Sequence, residues 1–350
     1  MTPDDPQTLA RRVQHRIDHL TKPLGALGRL EALALQIALW QGTERPALHA
    51  PQLVVFAADH GLVAQGVSAY PQAVTAQMVA NMLAGGAAVA VLARRHALTL
   101  TVVDCGVATP LPPHPQLVVA RVRAGTADSS LGPAMSAAEC EAAQAHGAAL
   151  VQRLPGNVLL LGEMGIGNTS AAALLMARLG GLPLEACVGR GTGLDDAGLA
   201  HKRRVLARVL ERHATVREPQ AVLAALGGLE IATMAGAVRQ AWRERRLVVV
   251  DGFITTAAVA AAAALEPDGA LQATRGCVFA HASAEHGHAR WLSQLGVRPL
   301  IDLGLRLGEG SGAALAWPLI DSALQLLDGM ASFAEAGVAT ATAPAAGEGG

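Results

Sequence analysis

The sequence predicts an α/β fold, a parallel β-sheet covered by helices on both faces. Short apolar runs such as LVVFAA, LTLTVV, VLLL and LVVV alternate with longer stretches of helical periodicity, the pattern of successive βαβ units. The runs are continuously apolar, as in strands buried on both faces. Hydrophobic residues make up 51% of the 350-residue chain but aromatic ones only 3%, so the core must be packed from Ala, Val and Leu. Side chains of that size favour helices laid closely on a parallel sheet over an aromatic-rich sandwich.

Taken in order, the first fifty residues read as helical: LARRVQHRIDHL, a break at Lys22-Pro23, then LGRLEALALQIALW, with Pro46 and Pro51 closing the segment. LVVFAADHG is the first strand and runs into a loop that opens Asp59-His60-Gly61. From Gly61 to Ala93 there is no formal charge, but Gln65, Ser68, Pro71, Gln72, Gln77 and Asn81 interrupt the apolar residues. The stretch therefore falls short of the roughly 20 mainly apolar residues of a membrane span and reads as loop plus buried helix. ALTLTVVDCG, VLLLGEMG and RRLVVVDGF follow as strands, with TRGCVFAHAS and VRPLIDLGLRLG as weaker candidates. Between them AVTAQMVANML, AAECEAAQAHGAALVQRL, AGLAHKRRVLARVLERH, LEIATMAGAVRQAWRE and TTAAVAAAAAL read as helices. From about Ala339 periodicity is lost and the tail reads as disordered.

A formal net charge of -1 and the lack of a basic tract argue against a general nucleic-acid binder. The opening MTPDDPQ is acidic and has no apolar core, which argues against a secretory signal. Cys105, Cys140, Cys187 and Cys277 are far apart and form no C-x-x-C pair, so a reducing cytoplasm is expected rather than a zinc or disulfide framework.

Ligands of open α/β sheets sit beyond the carboxyl ends of the strands. The expected strands bring Asp59-His60, Asp104, Glu163, Asp251 and Glu309 to that edge. The competing reading of each is a helix cap, even with function for Asp104 and Asp251 and weaker for Glu163 and Glu309, which lie in glycine loops. GEMGIGNTS, Gly162 to Ser170, joins a strand to a helix and resembles a phosphate-binding loop, except that Asn168 replaces the lysine. Its glycines let backbone N–H groups approach an anion at a helix N-terminus, and without the lysine a monophosphate fits better than a triphosphate. A tight turn with a Thr or Ser cap is the alternative. VGRGTGLDDAGLAHK adds Arg190 and Lys202 as cations, with Asp195 or Asp196 capping the helix that carries Lys202. In LGLRLGEGSGAALAWPLI, Glu309 lies among Leu305, Leu307 and Trp317, where partial desolvation would raise its pKa and suit it to general-base work. His281, His286 and His288 lack the i, i+4 spacing of a helical metal pair and are read as lining a helix start, with no metal expected.

The segments KPLGALGRLE, ADHGLVAQGVSAYPQAVTAQMVANMLAGGAAVAVLAR, GEMGIGNTSAAALL, VGRGTGLDDAGLAHK, DGFITTAAVAAAA, HASAEHGHA and LRLGEGSGAALAWPLIDSA run in one order from Lys22 to about Ser322. Together they closely resemble the nicotinate-nucleotide–dimethylbenzimidazole phosphoribosyltransferase family, which makes the lower-ligand nucleotide of cobalamin. The resemblance implies transfer of a 5-phosphoribosyl group from nicotinate mononucleotide to 5,6-dimethylbenzimidazole, with inversion at the anomeric carbon, Glu309 as general base and no cofactor. It marks Glu163 and Lys202 as active-site residues, with Gly165, Gly167, Asn168, Thr169 and Arg190 as candidates for holding the mononucleotide. Gln77 is carried over to the base pocket, with Tyr70, Met78, Met164 and Leu307 beside it; core packing is an equal reading of Met78 and Leu307. Ala69 stands where some relatives are expected to have a small polar residue, which leaves the pocket permissive.

A Rossmann-like parallel sheet is implied, with a small helical domain built from both chain ends. The expected divisions are 1–50 and 309–338 for the small domain, 51–308 for the large one, and 339–350 for the tail. A cytoplasmic homodimer is implied, with the active site near the subunit interface and with neither nucleic acid nor membrane as partner. The rival readings are a P-loop kinase or NTPase, against which Asn168 speaks, and a catalytically inactive nucleotide-binding sensor.

Overall fold

The structure is a computed structural model and describes residues 6–191 and 193–339. Most of the tail expected to be disordered, 340–350, lies outside the described residues. The chain forms two compact units, one from the residues up to Ala47 with those from Leu319 onward, the other from Leu48 to Pro318.

In the smaller unit the helices Pro6–Asp18 and Arg29–Gln41 bury Leu9, Val13 and Ile17 and Leu33, Ile37 and Trp40, each set spaced for one helical face. The chain between them breaks at the expected Lys22-Pro23, where the buried Lys22 pairs with Glu31 at 2.9 Å. Ile320, Ala323, Leu324 and Leu327 of the helix Ser311–Gly329 supply a third buried face, and Arg16 reaches Asp328 at 2.9 Å.

The larger unit is built on six strands: β1 Gln52–Ala58, β2 Thr99–Gly106, β3 Leu117–Val119, β4 Val158–Met164, β5 Leu247–Val250 and β6 Cys277–Phe279. All pair in parallel, in the order β3-β2-β1-β4-β5-β6. That is the doubly wound, Rossmann-like order, whose direction reverses between β1 and β4 and leaves a crevice there. Every residue of β1 and β5 is buried, as their unbroken apolar runs require. The Ala-rich helix Phe253–Ala264 is buried over most of its length, so the expected core of small side chains is present.

Three features depart from the sequence reading. β3 is only three residues long, Leu117–Val119, and was not expected. VRPLIDLGLRLG is not a strand: it makes a single bridge, Ile301 to His281, and then leaves the sheet. Pro299 lacks a ladder donor, and Gly304 takes a positive φ of 66°, so the chain turns away before a strand can extend. The uncharged stretch is also more apolar than it reads. Val74–Arg95 is long and apolar enough to cross a membrane by length and composition. It folds as two helices, Val74–Leu83 and Ala88–Arg95, that bury Thr75, Val79, Met82, Val89, Ala90 and Ala93.

One helix crossing depends on glycine. Helix Leu229–Arg243 packs on Ala137–Arg153 so closely that a Cβ at Gly236 would lie 2.0 Å from the carbonyl oxygen of Gln144. Gly236→Ala must force the two backbones apart and is expected to cost about 1–3 kcal/mol, the usual range for overpacking. Urea unfolding measures this, and an unchanged midpoint would show that the crossing yields without strain.

Candidate active site

The carboxyl ends of β1, β4, β5 and β6 face one cavity of about 640 Å³. Tyr70, Val74 and Met78 line it after β1, Glu163 to Ile166 with Asn168 and Thr169 after β4, and Asp251 to Thr255 after β5. His281, Ser283 and Glu285 follow from β6, and the loop Gly304 to Glu309 closes the ring.

The polar residues brought to the sheet edge divide into two sets. Asp59 accepts a hydrogen bond from Ala108 N at 2.7 Å, and Asp104 pairs with Arg121 at 2.8 Å and accepts from Val107 N at 2.8 Å. Those two hold loops together. His60 is buried and pairs with Glu230 at 2.8 Å. Glu163, Asp251 and Glu309 instead line the cavity.

Glu163, next to last in β4, is 7% exposed, with its carboxyl group accepting a hydrogen bond from the Asn168 amide. Burial, reinforced by the negative charges of Asp251, Glu230 and Glu309, pushes its pKa up to about 8 against the opposing pull of Asn168. Helix Asn168–Leu179 begins at once, with Gly167 at its N-cap in a left-handed conformation, φ 96°. No side chain caps it, so the Thr or Ser cap of the competing reading is not there. The Thr169 hydroxyl accepts a hydrogen bond from Lys202 Nζ at 2.8 Å instead.

Lys202 is 1% exposed on helix Asp196–Arg212, whose N-cap is Asp195, bonded through Oδ1 to Gly198 N at 2.7 Å. Burial brings its pKa down to about 8, only partly countered by the carboxylate of Glu285. Its ammonium thus stands at the wall of the cavity beside Thr169 and Gly191.

Glu309 is 4% exposed and accepts a hydrogen bond from Val89 N at 3.4 Å. Burial raises its pKa above the ordinary glutamate value, Val89 N–H opposes this, and the charge of Asp251 adds to the rise. The desolvation expected from the sequence is present, though Leu307 contributes as an exposed wall of the cavity rather than as core.

A family model described as "Phosphoribosyltransferase" matches residues 2–338. The nicotinate-nucleotide–dimethylbenzimidazole phosphoribosyltransferase of Variovorax paradoxus is 62% identical over 330 residues, covering 94% of this chain and 93% of that protein. The chain belongs to the nicotinate-nucleotide–dimethylbenzimidazole phosphoribosyltransferase family. The protein of that name from Cupriavidus taiwanensis is 56% identical over 94% of this chain and 95% of its own length. Among solved structures, CobT from Thermus thermophilus superposes with a TM-score of 0.91 at 45% identity, covering 95% of this chain and all of that one.

Membership in the nicotinate-nucleotide–dimethylbenzimidazole phosphoribosyltransferase family bears out the resemblance read from the sequence blocks and makes the chain a phosphoribosyltransferase. The P-loop NTPase reading falls with it. Of the residues expected at the site, Tyr70, Met78, Glu163, Met164, Gly165, Asn168, Thr169, Leu307 and Glu309 meet at the cavity, and Lys202 abuts it. Gly167 sits just behind, as the helix N-cap. Arg190 and Gln77 are not among the lining residues. Arg190 bonds to Asp196 and, at 3.0 Å, to the Leu194 carbonyl, while Gln77 is on the exposed side of its helix. His281 and Glu285 were not expected there as cavity residues, although the ends of strands are where such groups collect. His288 is buried at the start of helix His288–Gln294, between Thr256 Oγ1 and Ser283 N, each at 3.0 Å, and burial pulls its pKa down to about 3.

Proposed function

We propose that this enzyme transfers the 5-phosphoribosyl group of nicotinate mononucleotide to 5,6-dimethylbenzimidazole, with Glu309 as the general base. The observation that carries the reading is a buried carboxyl group with raised proton affinity, set on the wall of a cavity whose other side is a glycine loop at a helix N-terminus. Glu309 takes the N–H proton of the base while the other ring nitrogen forms a bond to C1′. The C1′–N bond to nicotinate breaks, and its electron pair neutralises the cationic pyridinium ring. Attack opposite the leaving group inverts C1′ and gives α-ribazole 5′-phosphate and nicotinate.

A substrate with one phosphate accounts for a loop that lacks the P-loop lysine. Gly165, Gly167, Asn168, Thr169 and Lys202 are assigned to the mononucleotide. Glu163, held protonated near neutrality, is suited to donate a hydrogen bond to it. Tyr70, Met78, Met164 and Leu307 form the largely apolar side that suits a benzimidazole. The same reading takes the protein as a cytoplasmic homodimer, in which a second copy would cover the exposed Tyr70 and Leu307.

The direct test incubates the purified protein with nicotinate mononucleotide and 5,6-dimethylbenzimidazole, without ATP or added metal, and follows nicotinate by chromatography. Nicotinate release that depends on the base, together with a ribazole phosphate peak, is expected. No release from folded protein that still binds the mononucleotide would favour the inactive sensor.

A further inference from the structure

Glu309 adopts a backbone conformation that residues with side chains rarely take, φ 65°, between Gly308 at 78° and Gly310 at 93°. A non-glycine residue held there costs about 1–3 kcal/mol and persists only where its surroundings over-determine it. Two supports meet at this point. From β4, Gly162 lies so close that a Cβ on it would come within 2.3 Å of the Glu309 carbonyl oxygen.

The second support is Asp251, just after β5. Its Oδ2 accepts from Gly310 N at 3.3 Å and its Oδ1 from Ala313 N at 2.9 Å. One carboxylate therefore grips the residue after Glu309 and the first turn of helix Ser311–Gly329. Asp251 is 2% exposed and borders the cavity itself. It does not serve the helix of its own βα loop: Phe253–Ala264 starts at Gly252, whose N–H donates to Thr255 Oγ1 at 2.9 Å. The helix-cap reading of Asp251 is thus half right, because the helix it serves lies far along the chain, next to Glu309.

We propose that Asp251 is a positioning residue for the transfer, which fixes Glu309 at the cavity through the amides of Gly310 and Ala313 and places a second carboxyl group beside it. The proposal rests on the reading of Glu309 as the base. The charged and titratable groups around Glu309 are Asp251 from β5, Glu163 from β4, and His281 from the end of β6, whose Nε2 is 3.8 Å from Asp251 Oδ1. Helix Ala88–Arg95 contributes only the N–H of Val89 to the carboxylate. Burial raises the pKa of Asp251 itself, against the pull of His281 and of the amides of Ala313, Gly312 and Gly310. Where Asp251 is ionised its charge favours the protonated form of Glu309, so removing it moves proton loss from Glu309 to lower pH.

The test compares Asp251→Asn, Asp251→Glu and Glu309→Gln by steady-state kinetics across pH, with thermal unfolding as the check on folding. Asp251→Asn keeps the shape but loses the charge and one acceptor. Its kcat is expected to fall about 10- to 100-fold, the scale of a misplaced reacting group, with the acidic limb of the profile displaced to lower pH. A purely structural role would lower the melting temperature and leave the limb in place. Asp251→Glu keeps the charge at the wrong reach, so its limb should stay while kcat drops, and it carries the test alone if the Asn variant does not fold. A wild-type profile in Asp251→Asn, or wild-type kcat in Asp251→Glu, overturns the positioning role while leaving Glu309 as base. Wild-type kcat in Glu309→Gln would instead remove the base assignment, and this proposal with it.

Discussion

Glu309→Gln is expected to bind both substrates and to lose about 10²–10⁴-fold in kcat, the usual worth of a positioned general base. The amide preserves the size of the side chain and can still accept from Val89 N, so the loop should hold its conformation. What it loses is the ability to take a proton. The cost should therefore fall on kcat, with the KM values of both substrates little changed, and stopped-flow binding together with steady-state rates separates the two. In the wild-type enzyme the base must be ionised, and burial and Asp251 raise its pKa. Activity should consequently be lost on acidification at a higher pH than an ordinary glutamate would require, and Glu309→Gln should lack that limb. Unchanged turnover in the variant would move the base elsewhere, with Glu163 the next carboxyl on the same cavity.

The sequence revealed the sheet because its central strands are buried on both faces and read as unbroken apolar runs. β3 escaped because three residues paired along one edge of β2 leave no such pattern. VRPLIDLGLRLG misled for the opposite reason: its apolar residues look strand-like, yet Leu303 and Leu307 are 62% and 58% exposed, Leu307 on the cavity wall. Glycine loops and strand ends bring Glu163, Thr169 and Glu309 to the cavity, since those positions follow from chain order. Local spacing says nothing about which way a side chain points, so it did not show that Arg190 turns to Asp196 while Lys202 is buried toward Thr169. Nor does it show Asp251 reaching Gly310 and Ala313, because that contact joins segments about sixty positions apart.

Lys202→Met is expected to raise KM for nicotinate mononucleotide about 10- to 100-fold, with a smaller effect on kcat, as the loss of a charge-assisted hydrogen bond of about 1.5–3 kcal/mol requires. A lysine 1% exposed pays a desolvation penalty that shows as a pKa brought down to about 8. An isosteric apolar residue would remove that penalty, so the variant should unfold at the wild-type temperature or above it. The ammonium lies at the cavity wall against Thr169 Oγ1, at the start of the glycine-capped helix, where an anionic phosphate would compensate its burial. Only the protonated amine attracts the anion. Mononucleotide affinity in the wild type should therefore weaken as pH rises through about 8, and in Lys202→Met it should be flat over the same range. Isothermal titration across pH reads both effects. Wild-type affinity in the variant would reduce Lys202 to a support for Thr169, and the phosphate would then be held by the backbone N–H groups of the glycine loop alone.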